Sequence, residues 1–300
     1  MEPSGVLIIN KGDGMTSHDV INKIRRLYST KRVGHTGTLD PMATGVLVVL
    51  VGRAAKAAEY LVADSKEYIA TLRLGIETDT EDTTGTVLTS TDSLPSQEEV
   101  LEAVSSFVGD VMQTPPMYSA LKVDGKKLCD LARQGVTVER EARRITIHSL
   151  SVEPTDSESD YILRVSCSSG TYIRTLCADI GKKLGCGGAM ASLCRSRTGN
   201  FDIKDAHTLA KLEELDIDSR ISLLIPTESL FTSLPAVSLP AFYEKLSRSG
   251  CEIYQSKIKT NYAVGTRVRM CSADRSFYAL GEVKEFENGS AIKAIKLFDI

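Results

Sequence analysis

The run Gly34-His-Thr-Gly-Thr-Leu-Asp-Pro-Met-Ala-Thr-Gly45 is the part of the chain best suited to chemistry: three glycines, one histidine and one carboxylate stand just ahead of an aliphatic stretch. Glycines let a backbone approach a ligand closely or take a positive φ. Pro41 biases Asp40 out of the α region and so governs how its side chain is presented. A single carboxylate on such a loop serves as a nucleophile or a base; the same residues also suit a turn in which the aspartate bonds its own backbone. Several chemistries are excluded. There is no G-x-x-x-x-G-K-[ST] phosphate loop. His18, His35, His148 and His207 are scattered, with no H-E-x-x-H or His–Cys pair, so no metal site is expected. No obvious second acid accompanies Asp40, as a two-carboxylate glycosidase would need. The seven cysteines include no C-x-x-C pair and read as reduced cytosolic thiols.

Gly170-Thr-Tyr-Ile-Arg-Thr175 is a second glycine turn, opening a helix and offering Tyr172 and Arg174 together. Arginine can hold a carboxylate bidentately and favour its charged form. Tyr68, in Lys66-Glu-Tyr-Ile-Ala70, suits either a strand core or a platform on which a base stacks. The net charge of −3 hides a pattern: residues 77–110 carry nine acids and no Lys or Arg. Basic residues outnumber acidic ones by seven to four in 122–144, six to three in 174–207 and ten to seven in 235–300. A phosphate backbone needs a local basic face, not a basic total. Nucleic acid therefore stays among the candidate partners, with Lys122, Lys126, Lys127, Arg140, Arg143 and Arg144 as leading phosphate contacts.

Residues 6–9 read as a strand, and Thr16 or Ser17 caps a helix running to about Tyr28 with Val20, Ile21, Ile24 and Leu27 on one face. Residues 46–51 read as a buried strand, followed by a helix with Ala54, Ala57, Ala58 and Leu61 on its face. Residues 68–74 alternate as a half-buried strand, and an acidic turn over 77–85 leads to a strand at 86–88. Ser96 with Glu99 forms a capping box for a helix through Phe107. Pro115-Pro116 is an extended loop and Asp124-Gly125 a turn. Residues 145–152 and 161–167 read as a strand pair, 172–184 as a helix ending at Gly185, and 189–197 as a strand. Without regular βα alternation, the fold class is α+β. Three hundred residues suggest about two domains. Pro235 and Pro240 bracket a boundary, dividing the chain into 1–232 and 233–300, the latter with strand-like runs at 267–271, 277–283 and 291–298. The longest aliphatic run falls far short of the roughly 20 residues that span a bilayer, and the first residues lack a signal-peptide pattern, so a cytoplasmic protein is expected.

Further ordered blocks are Gly5-Val-Leu to Lys11, Lys66-Glu-Tyr68, Leu74-Gly-Ile-Glu-Thr-Asp-Thr80, Pro116-Met-Tyr-Ser-Ala-Leu-Lys122, Gly125-Lys-Lys127, Arg133-Gln-Gly135, Arg140-Glu-Ala-Arg143 and Leu184-Gly-Cys-Gly187. With the two glycine loops, these blocks make residues 5–207 resemble the bacterial tRNA pseudouridine synthases of the TruB type, which modify the T-arm uridine called position 55. Gly12 departs from the family pattern, which usually has proline there.

The resemblance implies a pseudouridine synthase catalytic fold with a mixed, largely antiparallel sheet and flanking helices. Residues 233–300 resemble, by position only, the family's small β-rich PUA-like RNA-binding domain. It implies Asp40 as the catalytic aspartate, Arg174 as its partner, and Tyr68 against the uracil face, with a candidate part in removing the C5 proton. Tyr172 would contact the uridine or orient the Asp–Arg pair, Leu193 would lie beside the base, and His35 would fill the place of the flipped nucleotide. Lys11 joins the candidates for RNA-backbone contact. No cofactor and no metal would be needed. The partner would be the tRNA T-arm stem-loop, bound by a monomer without guide RNA or membrane. Two other readings are a non-catalytic RNA-binding or tRNA-folding protein on the same fold, and a pseudouridine synthase acting on another RNA, including the guide-dependent relatives.

Overall fold

The structure, a computed structural model, describes residues 2–61, 65–119, 121–123 and 125–298. Along the chain run β1 (Gly5–Lys11), α1 (Ser17–Leu27), β2 (Val33–His35), β3 (Thr44–Val51), a 3-10 helix (Gly52–Tyr60), β4 (Lys66–Leu74), β5 (Ile76–Thr78), β6 (Val87–Ser90) and α2 (Gln97–Ser105). Next come β7 (Gly109–Gln113), β8 (Lys122–Val123), β9 (Lys126–Lys127), α3 (Leu128–Arg133), β10 (Arg143–Pro154), β11 (Asp160–Cys167), α4 (Ile173–Leu184), β12 (Gly188–Thr198) and β13 (Phe201–Asp202). Two short helices, α5 (Leu209–Glu214) and α6 (Ile217–Ser222), lead to β14 (Ala236–Ser238), α7 (Ala241–Arg248), β15 (Ile253–Tyr254), α8 (Gln255–Ile258), β16 (Arg267–Cys271), β17 (Phe277–Phe286) and β18 (Gly289–Leu297).

Nine strands form one sheet in the order β1-β3-β12-β4-β11-β10-β7, with β2 on β3 and β13 on β12. Its pairings are antiparallel except that of β12 with β3, so the fold is α+β with a mixed, largely antiparallel sheet. Strand periodicity explains which side chains go where. In β4, Tyr68, Ala70, Leu72 and Leu74 are buried while Ile69, Thr71 and Arg73 alternate away from them. β1 and β3 are apolar on both faces. Leu7, Ile9, Leu47, Val49 and Val51 join the core under α1 and α4, whereas Val6, Ile8, Val46, Val48 and Leu50 face a second cluster. That second cluster includes Phe231, Leu280 and Phe298. The rings of Phe231, Phe277 and Phe298 stand 5.4–6.0 Å apart by centroid, and they tie the second sheet, β14-β16-β17-β18-β15, to the back of the first.

The helix ends follow local rules. Thr16 caps α1 with Asp19 in reciprocal bonds, Ser96 and Glu99 do the same for α2, and α4 ends at Gly185 with φ 76°. The segment after β3 departs from the α-helical expectation. It winds as a 3-10 helix because its buried alanines, Ala54 and Ala57, are three residues apart, while Ala58 is exposed. The glycine-rich loop begins later than expected, since Val33–His35 pair with β3 first. α2 stops at Ser105, and the chain re-enters the sheet as β7. Asp124 of the expected turn lies outside the described residues; its neighbour Gly125 has φ +80° between β8 and β9. Among the described residues no helix is long and apolar enough to cross a membrane.

Where β12 meets β3, Gly45 has φ +96°, and a Cβ on it would fall 2.2 Å from the Arg195 carbonyl oxygen. Gly45→Ala is therefore expected to cost about 3 kcal/mol or more, from backbone strain plus overpacking. Gly12→Ala, with nothing within 4 Å of the added carbon, is expected to stay within about 0.5 kcal/mol of wild type. Urea unfolding of the two variants checks this; equal midpoints would contradict it.

Candidate active site

The loop from β2 to β3 is held at four places, with Asp40 between them. Ser17, in the first turn of α1, donates its hydroxyl to Leu39 O (3.0 Å) and accepts from Leu39 N–H (2.9 Å). Lys11 Nζ donates to Gly12 O (2.9 Å), Met15 O (2.6 Å) and Pro41 O (2.9 Å). Gly14 N–H also donates to Pro41 O (3.1 Å). Arg195 donates from Nη2 to Gly37 O (3.0 Å), from Nη1 to Thr38 O (3.4 Å) and from Nε to Val46 O (2.7 Å). Pinning the residues on both sides of a side chain in this way orients it without bonding it directly.

Asp40 meets Arg174, in the first turn of α4. Arg174 Nε lies 2.9 Å from Oδ2, and Nη2 donates to Oδ1 at 3.4 Å. The guanidinium also donates to Thr80 O (3.0 Å) and Tyr118 O (2.8 Å). The arginine side chain is 6% exposed against 36% for Asp40, so the cation is buried and the carboxylate faces outward. The N-terminus of α4 is fixed by Gln113 at the end of β7, which accepts from Tyr172 N–H (2.8 Å) and donates to Tyr172 O (3.0 Å).

A second carboxylate, not anticipated from the sequence, faces the same guanidinium. Asp82 Oδ2 lies 3.8 Å from Arg174 Nη1 and is itself buried. Its Oδ1 accepts from Thr80 Oγ1 (2.9 Å), Thr84 N–H (3.0 Å) and Thr84 Oγ1 (2.6 Å). The turn carrying it is stitched to β12 by Thr83 N–H to Met190 O and Met190 N–H to Glu81 O, both at 3.0 Å. Beside it, burial pushes the Glu81 carboxyl above the usual range, while Thr175 donates a hydrogen bond to it at 2.5 Å. Its signal in the sequence was an acidic turn adjoining the Leu74–Thr80 block.

Tyr68 is 7% exposed, and burial pushes its phenol up from the ordinary value, while the Arg195 charge, at the strand position opposite, pulls it back. Asp40 lies near enough to Tyr68 and to Tyr172 to raise both phenols. Burial is the main cause for Tyr172 too. The structure thus gathers Asp40, Arg174, Tyr68 and Tyr172. Leu193 is buried on β12 opposite Ala70, two residues before Arg195. His35 ends β2; burial, then Arg195, lowers its pKa, and its Nδ1 has no partner among the described residues. Among the described residues no group of three His, Cys, Asp or Glu side chains is placed to hold a metal ion.

The basic candidates divide. Lys11 is a correction: it is fully buried, with three carbonyls around its ammonium, and burial lowers its pKa, so it has no face to offer a phosphate. Lys126 and Arg143 are exposed. Arg140 is half-buried and donates to Pro115 O (3.0 Å), and Arg144 pairs with Asp110 across β10 and β7. The backbones of Lys122 and Lys127 face each other in the β8–β9 hairpin.

Two family models match the chain. One, described as the TruB family pseudouridylate synthase N-terminal domain, covers residues 25–173; the other, the tRNA pseudouridylate synthase B C-terminal domain, covers 174–232. A curated relative from Clostridium kluyveri, named tRNA pseudouridine synthase B, is 42% identical over 98% of this chain and 99% of its own. Another of that name, from Aromatoleum aromaticum, is 46% identical over 82% of this chain and 80% of its own. Among solved structures, a chain in the crystal structure of a Cbf5–Nop10–Gar1 complex superposes with a TM-score of 0.74 at 25% identity, over 98% of this chain and 84% of that one. With the Asp40 loop, the buried Arg174 and a likeness that runs nearly end to end, the chain belongs to the TruB family of pseudouridylate synthases.

Proposed function

We propose that this protein converts uridine to pseudouridine at position 55 in the T arm of tRNA. The observation that carries the reading is the outward-facing Asp40 carboxylate, held by a buried arginine on a loop pinned from both sides. In the reaction the C1′–N1 glycosidic bond of uridine breaks, the base turns, and it rejoins the ribose through C5. Asp40 acts on the uridine, and Arg174 orients it while Asp82 holds Arg174 from behind. Tyr68 lies against the uracil and takes part in removing the C5 proton. Tyr172 and Leu193 line the base site, and neutral His35 fills the gap left when the uridine leaves its stack, at a cost of a few kcal/mol.

Residues 1–232 are the catalytic unit in this reading, and 233–300 a PUA-like RNA-binding unit. Lys122, Lys126, Lys127, Arg140, Arg143 and Arg144 hold the arm's phosphates. The protein works as a cytoplasmic monomer, without cofactor, metal or guide RNA. The direct test is to incubate it with an unmodified tRNA transcript, with no guide or partner, and map pseudouridine. Product at position 55 alone supports the reading. Product only when a guide RNA is supplied would favour the guide-dependent class, and binding without product a non-catalytic RNA-binding protein.

Asp40→Asn is expected to abolish turnover while tRNA affinity stays within about tenfold, ~1.4 kcal/mol. Residual activity within a hundredfold of wild type would remove Asp40 from its role. Asp82→Asn is expected to slow single turnover by about 10²-fold at unchanged affinity, because the guanidinium loses one of its two carboxylates and Asp40 loses its alignment.

Binding is expected to weaken with salt despite the acidic total, with a slope near −0.7 per phosphate on a single strand and −0.9 on a duplex. Arg143→Ala should reduce that slope by about one. Lys11→Ala should leave the slope unchanged and instead lower stability, at about 1–3 kcal/mol for each buried carbonyl left unpaired. Affinity that is flat between low and moderate salt would contradict a phosphate-backbone substrate.

A further inference from the structure

Among the described residues, Ser29, Glu81, Lys259 and Arg275 are the non-glycine residues with a positive φ. Ser29 and Lys259 are exposed just past helix ends, and Arg275 is exposed between β16 and β17. Glu81, at φ 63°, is instead half-buried in the turn between β5 and β6, beside Asp82. The left-handed region is unfavourable for a residue with a Cβ and open to glycine, so a glutamate kept there points to a task for its side chain. That side chain has a partner. Glu81 Oε2 accepts from Thr175 Oγ1 at 2.5 Å, and Thr175 is buried. Thr175 directly follows Arg174 in the first turn of α4. The Glu81 backbone is tied as well: its carbonyl accepts from Met190 N–H (3.0 Å) and its N–H donates to Thr78 O (3.3 Å). On either side of it, Thr80 O and Asp82 Oδ2 meet the Arg174 guanidinium. Three consecutive residues of the turn thus grip two consecutive residues of α4. The helix has use for that grip, since its N-cap is Tyr172, whose side chain makes no capping bond. Gln113 holds this end at Tyr172, and Glu81 holds it at Thr175.

We propose that Glu81 is a positioning residue for the uridine reaction: by bonding Thr175 it fixes the first turn of α4, and so the angle at which Arg174 meets Asp40. This rests on the reaction proposed above. Arg174 reaches Asp40 through two donors, Nε at 2.9 Å and Nη2 at 3.4 Å. A two-donor contact depends on the orientation of the guanidinium plane as well as on its distance. Thr80 O and Asp82 hold the guanidinium end of the side chain, and the Glu81–Thr175 bond holds the backbone from which it springs. One turn therefore fixes both ends of the arginine, and Glu81 acts through Thr175 and Arg174 on the carboxylate that does the chemistry.

The test exploits the left-handed backbone. Glu81→Ala and Glu81→Gly both remove the carboxylate, but only glycine relieves the positive φ, so the glycine variant should melt at the higher temperature of the two. Their single-turnover rates on unmodified tRNA transcript should nonetheless fall together, by about tenfold to 10²-fold, with tRNA affinity within about threefold of wild type. Glu81→Gln keeps an acceptor for Thr175 and should restore most of the rate. Thr175→Val removes the donor and should match Glu81→Gly, and the double variant should be no slower than either single one, as expected of two residues acting through one bond. The Arg174 Nε–H resonance, read by NMR on arginine-labelled protein, follows the same geometry without the reaction: it should shift in Glu81→Gly and Thr175→Val and stay in place in Glu81→Gln. Should Glu81→Ala fail to fold, Glu81→Gly carries the rate, affinity and NMR measurements. Rates that track the melting temperatures, losses that add in the double variant, or a wild-type rate in Glu81→Gly would each overturn the proposal and leave Glu81 as a packing residue. Wild type that forms no pseudouridine at all would instead defeat the proposed reaction, and the Arg174 resonance alone would then decide whether Glu81 positions the arginine.

Discussion

The structure around Asp40 depends on buried cations spent on backbone carbonyls. Lys11 and Arg195 are both buried, and between them they hold Gly12, Met15, Gly37, Thr38, Pro41 and Val46. Hydrogen bonds from a charged donor are worth about 1.5–3 kcal/mol each, and leaving such carbonyls unpaired in the interior costs a similar amount. A glycine-rich loop has more conformational freedom to lose than any other, so ordering this one requires strong and directional partners. A third buried cation, Arg174, completes the set from the other side and is the one that touches the carboxylate.

Those cations reach the loop because of how the sheet is threaded. β3 and β4 follow one another in the chain, yet they are not neighbours; β12 lies between them. That insertion places Arg195 against the loop and Tyr68 at once, and it places Leu193 opposite Ala70. Gly45 is the position where β12 and β3 approach so closely that no side chain fits. On the reverse face, Val6, Ile8, Val46, Val48 and Leu50 are covered by the aromatic cluster that joins the second sheet. The strands that carry the loop are therefore packed on both sides, and a rigid scaffold is what a site needing sub-ångström placement demands.

The acidic stretch and the basic stretches look alike as charge counts but are used differently. Part of the acid-rich turn is folded inward, where Asp82 faces Arg174 and Glu81 accepts from Thr175. Arg144 and Arg133 are paired with Asp110 and Asp130 at the surface, where such pairs contribute little, about 0–1 kcal/mol. Lys126 and Arg143 remain exposed. Local charge counts do not separate a cation that meets solvent from one that holds the fold.

Sequence by itself marked Asp40 as a candidate nucleophile or base, because a lone carboxylate before proline in a glycine-rich run has a recognisable local signature; the resemblance to the TruB-type synthases is what paired Arg174 with it. It also located most strands and the capped helices, since alternation, capping boxes and a C-terminal glycine are effects of near neighbours. It misjudged the segment after β3, where alanines three apart fit a 3-10 turn as well as an α-helix. Only the tertiary structure decided that Lys11 points inward, that Asp82 shares Arg174, and that Arg195 stands opposite Tyr68 and bonds the loop. Each of those contacts joins residues far apart in the chain, and whether a cation meets a phosphate or a carbonyl depends on which strand lies beside it.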